Sequence, residues 1–243
     1  MTILTNLRLT LAALCVALPL SAAAQPVKDE AVFDLVMKGL TAGSLRFSAT
    51  QDGAAYSAAG RLETGGLVAL LRKVKYDASV SGSVNGGTYT PSSYSENADT
   101  GKRQSESVMA YRAGVPQVKT YNPPRKPKDF DIDPASQGGT VDPLTALYAT
   151  LRDVAPGQEC KVNVKMFDGR RASQLSLGEP KARDGTVKCS GEYRRVAGFS
   201  AEDMKEKTRF PFTLTYAPTA DGRMRVVEVA MDTLYGKARL TRR

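Results

Sequence analysis

The residues with which this chain could do chemistry include carboxylates and cysteines but no histidine, among 243 residues. That excludes a Ser-His-Asp or Cys-His triad, a histidine general base and the usual His-containing zinc sites. Two-carboxylate acid–base chemistry of the glycosidase kind remains open. The available groups are Asp142, the set Asp129, Asp131 and Asp133, and Glu192 and Glu228. Each has a plainer reading. Asp142 stands just before Pro143 at the head of a helical pattern and reads as its N-cap. The three aspartates lie in a polar loop, and the two glutamates fall on wet strand faces. The aspartate spacing is that of a calcium loop, but Pro134 stands where the loop needs glycine and Thr140 where it needs a bidentate Glu. No P-loop, dinucleotide fingerprint or βαβ alternation is present. The sequence therefore yields no catalytic set, no metal site and no cofactor.

The cysteines point to export. Arg8 supplies a positive start, Leu9 to Leu20 an apolar run, and Ala22-Ala23-Ala24 a cleavage site. This is the pattern of a secretory signal peptide over residues 1–24. The run is too short for a membrane span, and no later stretch is long and apolar enough for a transmembrane helix. Cys15 lies inside the apolar run behind Leu14, which argues against lipidation. The expected mature chain, about 219 residues, keeps Cys160 and Cys189, an even count suited to an oxidising periplasm. A disulfide between them is expected. One difficulty stands in its way. In a simple meander the two would sit two strands apart, about 9–10 Å, whereas a disulfide needs Cα atoms within about 7 Å. Either the bond joins a strand end to a neighbour that crosses over it, or the strand order is not a simple meander.

The elements that must position these residues are nearly all strands. Alternation marks Phe33-Leu35-Met37, Leu45-Phe47-Ala49, and the clean run Val74-Tyr76-Ala78-Val80-Gly82-Val84. Asn85-Gly86-Gly87 is a strong hairpin signal, and Asp52-Gly53, Asp168-Gly169, Asp184-Gly185 and Asp221-Gly222 mark further turns. Residues 25–31 read as a polar leader. Leu67, Val68, Leu70 and Leu71 cluster instead of alternating and suggest a short helix near 65–72. The secure helix spans about 142–152. Leu144, Leu147, Tyr148 and Leu151 fall at i, i+3, i+4 and i+7 and form one apolar stripe, with Thr145, Thr150, Arg152 and Asp153 off it. A helix of roughly three turns is marginal alone, so this stripe must pack, either as a plug in a curved sheet or as a ligand-facing lid.

About a dozen antiparallel strands in a single β-rich domain over 25–243 should curl into a strongly curved, β-barrel-like meander, with a two-sheet sandwich as the rival. The net charge, +9 for the whole chain and about +8 once Arg8 is removed, comes from scattered Lys and Arg without interleaved stacking aromatics. Nucleic acid is therefore not an expected partner.

Several stretches together resemble a known family. They are Phe33-Asp34-Leu35 with Gly39-Leu40-Thr41-Ala42-Gly43, the Gly53–Tyr56 hairpin, and Asp142-Pro143-Leu144-Thr145-Ala146-Leu147-Tyr148. Phe167-Asp168-Gly169-Arg170-Arg171, Phe210-Pro211-Phe212, Asp221-Gly222 and Tyr235-Gly236-Lys237-Ala238-Arg239-Leu240 complete the set. In this order the chain resembles the exported bacterial domain-of-unknown-function family 3108. The resemblance spans nearly the whole mature chain and implies a strand-rich extracytoplasmic fold of Gram-negative envelopes; it supplies no catalytic residues.

Three functions follow as expectations. The leading one is a non-enzymatic periplasmic module that holds or carries an apolar, lipid-like ligand. The second is a structural or protein-interaction module of the cell envelope, using a basic face and the 122–139 loop. The third is a carboxylate-based hydrolase of envelope polysaccharide, which requires two acids facing each other in a cleft.

Overall fold

The computed structural model describes residues 25–71, 73–234 and 236–243. The expected signal segment, Arg72 and Tyr235 lie outside the described residues.

Seven strands come first: β1 Val27–Met37, β2 Leu40–Asp52, β3 Ala55–Thr64, β4 Lys75–Asn85, β5 Thr88–Asp99, β6 Gln104–Arg112 and β7 Val115–Asn122. A short helix, α1 (Gly66–Leu71), stands between β3 and β4. An irregular stretch with a 3₁₀ turn at Pro134–Ser136 leads to helix α2, Pro143–Leu151. Six strands follow: β8 Asn163–Phe167, β9 Ala172–Arg183, β10 Thr186–Ala197, β11 Arg209–Pro218, β12 Met224–Thr233 and β13 Gly236–Arg242. Helix α3 (Ala201–Glu206) joins β10 to β11.

All thirteen strands form one antiparallel sheet in the order β7-β6-β5-β4-β3-β2-β1-β13-β12-β11-β10-β9-β8. The sheet is a nearly closed barrel, so the sandwich is not adopted. Every neighbour but one is a sequential hairpin. The exception joins the chain's ends: β1 pairs with β13 from Phe33↔Arg242 to Met37↔Ala238. Among the described ladders β7 and β8 do not pair, and this leaves a seam. Local sequence builds the hairpins. Gly86 and Gly87, with φ of +55° and +83°, occupy the two-residue β4–β5 turn, where both positions need a left-handed backbone. Pro211 sits near the start of β11, and the ladder to β12 begins only at Phe212↔Met231, so the missing N–H is not needed there.

Three sequence expectations need correction. Residues 25–31 are not a leader: from Val27 they belong to β1, with Asp29 and Ala31 buried. A charged residue on the inner face had broken the expected alternation. Cys160 is not on a strand, because β8 begins at Asn163. Finally, α2 is buried well beyond its apolar stripe, since Thr145 and Thr150 are buried as well.

The core fills the barrel around α2. Phe33, Phe47, Tyr56, Tyr89, Met109, Phe167, Leu214, Tyr216 and Val226 all point into it. The Tyr148 ring meets Phe47 and Tyr89 edge-on at centroid distances of 6.1 and 5.7 Å, and Tyr89 meets Tyr56 at 5.0 Å. On β3, a Cβ at Gly60 would lie 2.8 Å from Leu144 Cδ1, so its lack of a side chain lets α2 approach the wall.

Candidate functional site

The site is organised by α2, and the chain fixes that helix at both ends. Before the helix, Val141 forms a parallel bridge to β8: its N–H donates to Lys165 O at 2.9 Å, and Phe167 N–H donates to Val141 O at 2.9 Å. After it, Val154 and Met224 of β12 exchange N–H···O bonds of 2.9 and 2.8 Å.

Side chains reinforce each end. Asp142 is the N-cap and is fully buried. Its Oδ1 accepts from Thr145 N–H at 2.9 Å and its Oδ2 from the Thr145 hydroxyl at 2.6 Å. That spends the Thr145 proton, so Tyr56 OH donates to Thr145 Oγ1 at 2.8 Å. Burial pushes the Asp142 carboxyl up to about 6, against the opposing pull of these hydrogen bonds. At the other end, Asp153 is only 2% exposed in its side chain and receives three arginines. Arg225 approaches at 2.6 Å and Arg242 at 3.1 Å, with Arg223 at 3.6 Å. Arg223 also reaches Asp29 at 3.3 Å, and Tyr148 OH donates to Asp29 at 3.0 Å. This network ties the end of α2 to β1, β12 and β13. Periodicity did not reveal it, because buried charges read as surface in a hydropathy pattern.

Between α2 and the β-wall lies a pocket of about 420 Å³. Pro143, Leu144 and Leu147 form its helical side. Leu35, Leu45, Leu62, Tyr76, Ala78, Val229, Met231 and Leu240 form its sheet side. Its size falls in the range of small-molecule sites, roughly 300–1,000 Å³. Polar groups are few. Tyr94 OH donates to Glu96 Oε2 at 2.8 Å, and burial holds the Glu96 carboxyl above its usual range. Arg61 and Arg239, both more than a third exposed in their side chains, bring the pocket to the surface.

The four stripe residues therefore divide. Leu144 and Leu147 line the pocket, whereas Tyr148 and Leu151 are buried in the core and do not line it. The carboxylates do not converge. Asp131 pairs with Arg125 at 2.5 Å, Asp133 caps the 3₁₀ turn, Glu192 pairs with Arg209 at 2.6 Å and Glu228 with Arg239 at 3.3 Å. Among the described residues no group of three or more His, Cys, Asp or Glu is placed to hold a metal ion.

The Cys160–Cys189 disulfide is present, with Cα atoms 5.5 Å apart. The meander and the bond coexist because Cys160 lies on the stretch between α2 and β8, which folds over the inner face of β10, where Cys189 is fully buried. Cys160 takes a left-handed backbone, φ +62°, to make that approach.

Comparison with known proteins places the chain. The family described as "Protein of unknown function (DUF3108)" matches residues 32–242, and the chain belongs to that family. No curated protein matches it. Among solved structures it is similar to the crystal structure of a beta-barrel-like protein of domain of unknown function DUF1849 from Brucella abortus. Identity is 13%, coverage is 89% of this chain and 96% of that one, and the TM-score is 0.49. No described helix is long and apolar enough to cross a membrane.

Proposed function

We propose that this member of the DUF3108 family is a periplasmic, non-enzymatic binding module that holds an apolar or amphiphilic, lipid-like molecule in the pocket beside α2. The observation that supports this most is the pocket itself. It is an apolar space of about 420 Å³ between α2 and the barrel wall, reaching the surface beside Arg61 and Arg239. Leu144 and Leu147 supply the helical wall for the ligand. Tyr148 and Leu151 hold the helix in place, so α2 acts as a fixed plug with one ligand-facing side. Fixing both ends of the helix keeps the pocket pre-formed, which lowers the ordering cost of binding. Glu96, whose carboxyl burial holds above its usual range, and Tyr94, which donates to it, are the polar pair on this wall. Export follows from the Arg8, Leu9–Leu20 and Ala22–Ala24 pattern, and the disulfide suits an oxidising compartment.

Titration with the uncharged probe N-phenyl-1-naphthylamine tests the reading. Saturable enhancement at one site per chain is expected, with competition by long-chain alcohols. Fluorescence that rises without saturation, or that long-chain alcohols leave unchanged, refutes it.

The envelope-interaction reading draws on the 122–139 loop, which is held in place by Arg125 stacking on Tyr121 and pairing with Asp131. Crosslinking in cells that captures one envelope protein, and loses it when the loop is deleted, supports that alternative.

A further inference from the structure

A second cavity, sharing no residue with the apolar pocket, lies at the seam. Its volume is about 810 Å³. The β4–β5 turn at Gly86–Gly87, the Gly138–Val141 segment, the far side of α2 at Ala149 and Arg152, and the edge strand β8 enclose it. The other end of the seam is stoppered. A Cβ at Gly169, in the β8–β9 turn, would touch Ser107, Met109 and Val118, and Arg170 stacks on Tyr121 of β7 at 5.5 Å.

The charges around this cavity are unbalanced. Its lining includes Arg152, Lys161 and Lys165 and no Asp or Glu. Arg152 stands out among the arginines. The half-buried Arg170 and Arg171 lie over the Tyr121 and Phe199 rings, and the well-buried Arg242, Arg195 and Arg125 have carboxylates, Asp153, Asp203 and Asp131. Arg152 has none within ion-pair distance among the described residues. Its Nε is buried without a hydrogen-bond partner, and its Nη1 makes only a 3.4 Å contact with Asp153 O. Glu159, the nearest acid along the chain apart from the fully engaged Asp153, is buried and makes no ion pair with it. As C-cap of α2, Arg152 gains from the helix dipole, but that does not supply the missing acceptor for Nε. A partly buried guanidinium is stable when a carboxylate or phosphate meets its fork with two oxygens.

We propose that the seam cavity is an oxyanion site, with the Arg152 guanidinium at its floor, Lys161 and Lys165 beside it, and a phosphate or carboxylate group as ligand. Val141, Ala149, Val162 and Leu177 supply apolar parts of the wall, among polar ones such as Gln158, Asn163 and Gln174, which leaves room for a short apolar attachment on that group.

The test reads the Arg152 Nε–H signal directly in a ¹H–¹⁵N correlation spectrum of the mature protein, assigned by its loss in Arg152→Lys. Inorganic phosphate, octyl phosphate and octanol are titrated in parallel. The expected result is a saturable shift of the Nε–H signal with a phosphate and none with octanol. Saturation by inorganic phosphate identifies a free anion as sufficient; saturation by octyl phosphate alone identifies an amphiphile head group. Arg152→Gln should weaken binding by about tenfold or more, followed at the Gly86 and Gly87 amides. Should that variant fail to fold, Arg152→Lys, which keeps the charge without the fork, should bind several-fold more weakly than the native chain. No saturable shift with either phosphate, an equal response to octanol, or unchanged affinity in the folded variants overturns the proposal. None of these outcomes depends on the apolar pocket being occupied.

Discussion

Asp142→Asn should remove a pH dependence that the helix cap builds into the fold. The Asp142 carboxyl is fully buried, and among the described residues no lysine or arginine pairs with it. The Thr145 N–H and hydroxyl, with the backbone N–H groups of Asp142 and Leu144, only partly offset the loss of water. Its folded pKa is therefore raised from an ordinary 3.8 to about 6. A group raised on folding contributes stability that is fully present below the unfolded value and is lost as pH rises through the folded one. The whole effect is roughly 3 kcal/mol, of which roughly 1.4 kcal/mol falls between pH 5 and pH 7. Carboxylates held low by partners, such as Asp77 by Lys75 and Arg61 and Asp221 by Thr219 and Arg223, act with the opposite sign only below about pH 4. The pH 5–7 window therefore isolates Asp142 together with Glu96, whose carboxyl is also raised by burial. Asparagine caps helices well, so the cap survives the substitution while its titration disappears. Urea unfolding at pH 5 and pH 7 measures the effect. The native chain should gain about 1.4 kcal/mol relative to Asp142→Asn on acidification, and Glu96→Gln separates the second contribution. Equal pH dependence in native and Asp142→Asn chains, or a relative loss for the native chain, refutes the reasoning.

Other outcomes follow from the same geometry. Leu147→Trp should fill the apolar pocket and abolish probe binding. The chain contains no tryptophan, so the new indole is also a lone fluorescence reporter of the site. Reducing Cys160–Cys189, which are separated by 29 residues, should lower stability by about 3–4 kcal/mol, read from the shift in the urea midpoint with and without reductant. Asp153→Ala should destabilise by about 3 kcal/mol or more, because it leaves Arg242 buried beside Arg225 without its carboxylate counter-charge. Tyr148→Phe, losing the bond to Asp29, should cost about 1–2 kcal/mol in the same assay.

Much of the architecture is legible residue by residue, and the reasons are local. Alternation along Val74–Val84, Gly86-Gly87 at a two-residue turn, and Asp142-Pro143 ahead of a 3.6-residue stripe each act within a few positions, so β4, β5 and α2 could be read directly. What stayed hidden depends on partners far along the chain. Asp29 reads as part of a polar leader until Tyr148, 119 residues on, and Arg223, 194 residues on, are seen to hold it inside. Cys160 alternates with Val162 and Val164 as a strand would, yet β8 begins only at Asn163 and Cys160 takes a left-handed backbone. The apolar pocket was half legible. Leu144 and Leu147 stand on the apolar stripe, but their opposite wall comes from β1 to β5, β12 and β13, which only the β1–β13 closure brings together. Arg152 carried no signal, because a missing counter-ion is visible only in three dimensions.

The most direct test of the binding account is native mass spectrometry of the chain released from the periplasm without detergent, beside Leu147→Trp prepared the same way. The account predicts one apolar or amphiphilic molecule on the native chain and its absence from the folded variant. A bare native chain that also takes up no uncharged probe, or an adduct of equal abundance in the variant, contradicts it.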